Sequence, residues 1–295
     1  MPPSVRNWIV KSHALGNDYL VVDPSALTFT LTPDAIRRIC HRHLGVGSDG
    51  ILALVPSDRA DFGLRIYNPD GSEAEKSGNG LRIFAKFLYD HGYTRQPAFT
   101  VATAGGVAGI ALHLVNGRID QMTVDVGRAT FASTEIPVTG PHREVVDEEL
   151  EALGRRLRFT AVSVGNPHCV VFVPDLNQVD LHRLGPALET HPQFPKRTNV
   201  QFAHVASRDR VNILIWERGA GETMASGTSA SAVAAASVRR GLTGRDLTIS
   251  APGGDLRIQV GEDWSIRMTG PAEEVYAGTL SADLVAALNA MASAQ

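Results

Sequence analysis

Two short blocks in this chain have the residue types to work on an activated carbon: Ser77-Gly78-Asn79-Gly80 and Ser226-Gly227-Thr228. Each opens a run that is apolar almost all round, residues 81–89 and 230–238. A helix apolar on every side is a buried one, and serine ahead of a helix is a favoured N-cap. A helix start also offers spare N–H groups and the positive end of the dipole, so it binds a carboxylate or phosphate readily. Glycine there lets backbone approach a ligand closely. A single block of this kind reads as a plain cap. Two blocks at equivalent points of a repeat read as a shared anion site.

Other polar groups surround them in sequence. Glu217-Arg218-Gly219-Ala220-Gly221-Glu222 follows a strand that ends at Trp216. An acid beside a base, next to glycines, can grip the amine and carboxylate of an amino acid; a surface ion pair, worth little, is the even alternative. Gly165-Asn166-Pro167-His168 and Arg197-Thr198-Asn199 have turn chemistry. With Asn17, Asn68 and Asn79 these loops hold many amides, which suits a pocket for a polar small molecule. Gly45-x-Gly47-x-x-Gly50 matches the dinucleotide fingerprint literally, but it stands between a helical pattern (33–44) and a strand-like run (51–55), the reverse of the order that motif needs. His41, His43 and His182 lack a third ligand at metal spacing. There is no nucleophile elbow, no Ser-x-x-Lys and no Walker A.

The elements that must position these groups repeat. A shift of about 149 residues lays Gly16-Asn17 on Gly165-Asn166, Glu73-x-x-x-Ser77-Gly78 on Glu222-x-x-x-Ser226-Gly227, and Gly92 on Gly241. Short β-rich runs lead to a loop and then a helix in both halves: 20–23, 51–55 and 62–67 in the first, 161–164, 170–173, 199–205 and 211–216 in the second. The reading is an α+β chain of two homologous domains from an internal duplication, each a β-sheet wrapped around a central buried helix. Residues 1–126 with 272–295 form the N-terminal domain and 127–271 the C-terminal one. Residues 134–156, rich in charge and turn formers, read as joining region. Residues 281–291 read as an amphipathic helix capped by Ser281. Two related domains with a crevice between them suit chemistry that needs one group on each face of a substrate.

Bulk properties set outer limits. With 295 residues, 43% hydrophobic, the chain can bury two cores. A net charge of −3 leaves no footprint for nucleic acid or an anionic membrane. No signal-peptide pattern and no apolar run of about 18 residues occurs, so a cytoplasmic protein without a membrane span is expected. Two cysteines, Cys40 and Cys169, make no disulfide framework.

The blocks, in order, resemble the diaminopimelate epimerase family: Leu15-Gly-Asn-Asp18, Gly45-Val-Gly-Ser-Asp49, Tyr67-Asn-Pro-Asp-Gly-Ser-Glu73, Ser77-Gly-Asn-Gly80, Gly165-Asn-Pro-His-Cys169, Arg197-Thr-Asn199, Glu217-Arg-Gly-Ala-Gly-Glu-Thr223 and Ser226-Gly-Thr228. The resemblance covers nearly the whole chain. It implies cytoplasmic isomerase chemistry on the route to lysine and peptidoglycan: LL- and meso-diaminopimelate interconvert by proton transfer at the α-carbon. It implies no cofactor (neither pyridoxal phosphate nor metal), a small amino acid as the only substrate partner, and leaves a homodimer open. By that resemblance Asn68, Asn166, Asn199 and Arg218 hold the distal carboxylate, and Glu217 with the Arg218 backbone holds the distal amine. Gly78, Asn79, Gly227 and Thr228 cradle the carboxylate at the reacting carbon with Asn17 near, and His168 is a site histidine. Gly50 stands where some members carry a glutamine. Ser77 and Ser226 take the catalytic positions, where the family has cysteines. A thiol at a helix N-terminus titrates near neutrality; a serine hydroxyl does not titrate in the working range and is a poor general base. Assistance from His168 or Glu217, another isomerase or dehydratase on the same scaffold, and a non-catalytic amino-acid-binding paralogue all stay open.

Overall fold

The computed structural model describes residues 5–293. The chain opens with β1 (Trp8–Ala14), β2 (Asn17–Val22), α1 (Pro33–Cys40), β3 (Ile51–Val55), β4 (Phe62–Tyr67), the short β5 (Glu73–Ala74), α2 (Gly78–Asp90), β6 (Ala98–Thr103), β7 (Gly106–Val115) and β8 (Arg118–Arg128). It continues with β9 (Glu148–Ala152), β10 (Arg155–Ser163), β11 (Pro167–Phe172), α3 (Leu181–Glu189), β12 (Asn199–Ser207), β13 (Arg210–Glu217), β14 (Gly221–Glu222), α4 (Gly227–Arg239), β15 (Asp246–Ala251), β16 (Gly254–Val260) and β17 (Ser265–Gly270). β18 (Glu273–Thr279) and α5 (Ala282–Ser293) close it. Two compact units result, Met1–Val124 with Gly270–Gln295, and Asp125–Thr269. No helix among the described residues is long and apolar enough to cross a membrane.

Strand pairing follows one scheme twice. In the first unit β2 runs parallel to β3, β3 antiparallel to β4, β4 parallel to β6, and β6 antiparallel to β7. In the second, β11, β12, β13, β15 and β16 pair in the same sequence of directions. α2 and α4 hold the same place in the two schemes, at the shift the sequence repeat calls for.

In the first unit, Leu81, Ile83, Phe84, Phe87 and Leu88 of α2 pack with Val10, Val21, Leu52, Ile66, Val101 and Ile110 of the strands. A second cluster, Ile36 and Ile39 of α1 with Leu280 and Leu288, covers Ile9, Leu20, Val22 and Ile51. Burying each such side chain is worth roughly 1.5–3 kcal/mol. In the second unit α4 packs on β10, β11, β12, β15 and β16. Its run of alanines and serines is buried almost throughout. Two of those serines meet their polar need inside the helix: Ser231 Oγ donates to Gly227 O at 2.7 Å and Ser237 Oγ to Val233 O at 2.8 Å.

Two expectations need revision. The helix expected over 33–44 stops at Cys40, because residues 45–48 fold back and donate to the carbonyls of His41, Ile39 and Cys40. Gly45 permits this: a Cβ there would sit 2.1 Å from the Arg38 carbonyl oxygen. Residues 134–156 are not a joining region; Ile136, Val138, Val145, Leu150 and Ala152 belong to the core of the second unit. Gly50, with φ +158°, leaves no room for a side chain, since a Cβ would come 2.3 Å from the Tyr67 carbonyl oxygen.

Candidate active site

In the first unit the short β5 brings the chain to Ser77, which takes an extended conformation (φ −140°, ψ 119°) and caps α2. Its Oγ accepts the Gly80 N–H at 3.0 Å, and its carbonyl accepts the Leu81 N–H at 2.9 Å. The Tyr19 hydroxyl stands 3.5 Å from that Oγ. Gly78 and Asn79 form the first turn and are buried. Asn79 Nδ2 donates to Asn17 Oδ1 at 3.1 Å, and Asn17 Nδ2 donates to Asp49 at 3.0 Å. Asp49 in turn meets Arg42 at 2.6 Å. Arg42 and Lys11 also flank Asp18; burial works against its charge, but their hydrogen bonds hold the carboxyl below the usual range. Asn68 closes a turn onto Ser72, Nδ2 to Oγ at 2.9 Å.

Arg82 is fully buried one turn into α2. Its guanidinium donates to Asn79 Oδ1 (2.9 Å) and the Pro271 carbonyl (3.2 Å). Burial pulls it down to about 9, so it stays cationic at neutral pH. A buried cation beside a helix N-terminus adds to the positive potential there. Nothing in sequence separates it from Lys86, the other charge in the run 81–89, which stays at the surface and pairs with Asp90.

In the second unit Ser226 repeats the arrangement: φ −144°, ψ 125°, with its Oγ accepting the Ser229 N–H at 3.4 Å. Thr228 Oγ1 stands 3.4 Å from that Oγ, and Gly227 is buried in the first turn. Asn199 is almost fully buried; its Nδ2 donates to the Pro167 carbonyl and its Oδ1 accepts the Arg218 N–H, each at 2.9 Å. This one amide joins the three loops that carry Asn166, Asn199 and Arg218. Arg218 is exposed and donates to the Lys196 carbonyl at 3.1 Å. Glu217 accepts from the Thr223 hydroxyl at 2.8 Å.

His168 lies inside the second unit. Its ring has no exposed surface and lies behind Asn166, with Nε2 2.8 Å from Asn166 Oδ1. Burial pushes it down to about 3, Gln201 opposes the shift, and the Arg218 charge adds to it. It is neutral at physiological pH. Gln201 and Ser229 extend this buried polar chain, Nε2 to Oγ at 2.9 Å. Neither was singled out in sequence, since a polar residue within a strand or a small-residue helix names no partner.

Both cysteines are buried free thiols. Burial raises Cys40 and raises Cys169 beyond any working range. No thiol among the described residues stands in at the two helix starts.

A family model for diaminopimelate epimerase matches residues 9–132 and 160–275, which take in both helix starts and every loop above. The chain belongs to the diaminopimelate epimerase family. It is 47% identical over 277 residues to diaminopimelate epimerase 2 of Nostoc sp., covering 94% of this chain and 96% of that one. It is 45% identical to the diaminopimelate epimerase of Desulfitobacterium hafniense, covering 93% and 98%. Among solved structures, a hydroxyproline epimerase from Agrobacterium vitis superposes with a TM-score of 0.70 at 18% identity, over 94% and 92% of the two chains. A methylitaconate isomerase superposes at 0.62 with 14% identity, over 94% and 95%. At such identities these two show the shared fold alone, the α+β epimerase fold that the sequence blocks imply.

Proposed function

We propose that this protein is an amino-acid epimerase acting on diaminopimelate, interconverting the LL and meso forms without a cofactor in lysine and peptidoglycan biosynthesis. One observation carries the reading: both units of a family member keep an N-capped buried helix backed by amide-bearing loops. The Gly78–Asn79 and Gly227–Thr228 turns receive the carboxylate at the reacting carbon, where helix dipoles favour negative charge. Asn68, Asn166, Asn199, Glu217 and Arg218 receive the far end of the substrate.

Inversion at a carbon takes two groups, one to remove the proton and one to return it on the other side. Ser77 and Ser226 hold those positions. Each hydroxyl already accepts a helix N–H, which favours negative charge on oxygen but leaves it far from titrating near neutrality. Binding therefore outlasts fast chemistry in this chain. The serine pair also supports a second reading, an amino-acid-binding paralogue that no longer turns over.

Calorimetry with LL- and meso-diaminopimelate tests the substrate assignment. Binding of at least one isomer is expected, weakened in Arg218→Ala. No heat with either, from folded protein, removes the assignment. Chiral analysis of the bound ligand over time then separates epimerase from binding protein.

A further inference from the structure

Behind the loop 217–222 lies a carboxylate that the mechanism does not use. Glu189 ends α3 and is 4% exposed. Three donors converge on it. Its Oε1 accepts the Gly219 N–H at 2.8 Å and the Arg197 guanidinium, and its Oε2 accepts the Trp216 indole N–H at 2.8 Å. Its backbone carbonyl accepts the Thr198 N–H at 3.1 Å. One residue thus pins both the 197–199 turn and the start of the 217–222 loop.

Both pinned segments turn through left-handed backbone, which is free for Gly219 and strained for Arg197. Arg197 has φ +60° and Gly219 φ +81°. A non-glycine residue in the left-handed region is strained and persists where its surroundings fix it. Between these two pins sit Asn199 and Arg218, joined by the Arg218 N–H to Asn199 Oδ1 bond. The Trp216 ring is itself seated on Gly185, where a Cβ would fall 2.6 Å from it. A buried carboxylate is costly unless its lone pairs are filled. Here Oε1 is filled by the two turns that carry the proposed grip on the substrate's distal end, and Oε2 by the Trp216 indole.

We infer that Glu189 is a positioning residue for specificity: by holding Gly219 and Arg197 it fixes the Arg218 backbone and the Asn199 amide at the spacing a distal amino-acid group requires. The inference rests on the epimerase reading above. Glutamine in its place supplies one acceptor oxygen and turns an NH2 toward a donor, so at least one N–H loses its partner.

The test is calorimetry of diaminopimelate on the unaltered protein, Glu189→Gln, Arg218→Ala and the double variant, with thermal melts beside it. Glu189→Gln is expected to weaken binding about tenfold or more, the scale of a buried donor left unpaired. In the Arg218→Ala background it is expected to add little, because both changes act on one grip. A merely structural role predicts a lower melting temperature with unchanged affinity, or losses that add in full; either result overturns the inference. Should Glu189→Gln fail to fold, Arg197→Met at the half-exposed partner replaces it, and unchanged affinity there overturns it as well. Absence of binding by the unaltered protein instead overturns the epimerase reading on which this one stands.

Discussion

Serine at 77 and at 226 separates two jobs that a cysteine does at once. As an N-cap the hydroxyl is a good choice, since its oxygen accepts a helix N–H; as a proton acceptor from carbon it is a weak one. The two real thiols do not compensate, because both are sealed in the core. Alkylation of the native protein by iodoacetamide should therefore leave Cys40 and Cys169 unmodified by mass spectrometry, with both modified in denaturant. Fast modification of either without denaturant would show a thiol the fold does not seal. His168 carries a second residue-scale consequence. Its folded value, about 3, lies below the ordinary 6.5. The unfolded chain then binds the extra proton between those limits, so stability is full above pH 6.5 and falls as pH drops toward 3. The loss from this one group approaches about 1.4 kcal/mol per pH unit. Urea midpoints measured across that range should fall steadily, and His168→Asn should flatten the part above the carboxylate range. An unchanged slope in that variant would assign the pH dependence to other groups.

At the scale of elements, α2 and α4 were legible because their ends obey local rules. Serine caps the start of each, and Gly92 (φ +76°) and Gly241 (φ +69°) turn the chain at the far ends. β3 and β4 were equally plain as apolar runs bounded by turn residues. α1 was read too long because Leu44 extends its apolar pattern, yet Leu44 is exposed and the chain has already folded back. The segment 134–156 was misread for the opposite reason. Its charges sit on the outer side of a chain whose Ile136, Val145 and Leu150 point inward, and composition averages over both. Glu189 and Gln201 gave no adequate signal because partners such as Trp216, Gly219 and Ser229 lie far away in sequence. The contrast between the two central helices yields a prediction. α4 is small-residue and buried on all sides, so it has no room to grow. Ala234→Leu in its middle, fully buried, should cost about 1–3 kcal/mol in chemical denaturation, the usual cost of overpacking. A neutral effect would mean that the strands around α4 yield easily.

At the scale of the whole molecule, one architecture occurs twice, and the proposed chemistry asks for a group from each copy. The order of the sequence blocks made family and fold readable together, because a duplication keeps its turn residues where the backbone needs them. Activity was not readable in the same way, since two atoms decide it. If each unit still presents its helix start to the substrate, supplying thiols should restore what serine withholds. The double change Ser77→Cys and Ser226→Cys should raise both α-proton exchange and epimerisation of diaminopimelate strongly, because helix N-termini tune a thiol toward neutrality. Either single change should exchange the proton on its own side without much inversion, since one acid–base group would still be lacking. Deuterium uptake from heavy water followed by NMR, beside chiral analysis of the product, reads the two outcomes separately. Equal turnover by the Ser/Ser protein and the Cys/Cys variant would show that serine suffices as the base here. A Cys/Cys variant that binds diaminopimelate yet exchanges nothing would show that the placement of the two helix starts has changed along with their residues, leaving the epimerase chemistry as ancestry and the binding function as what remains.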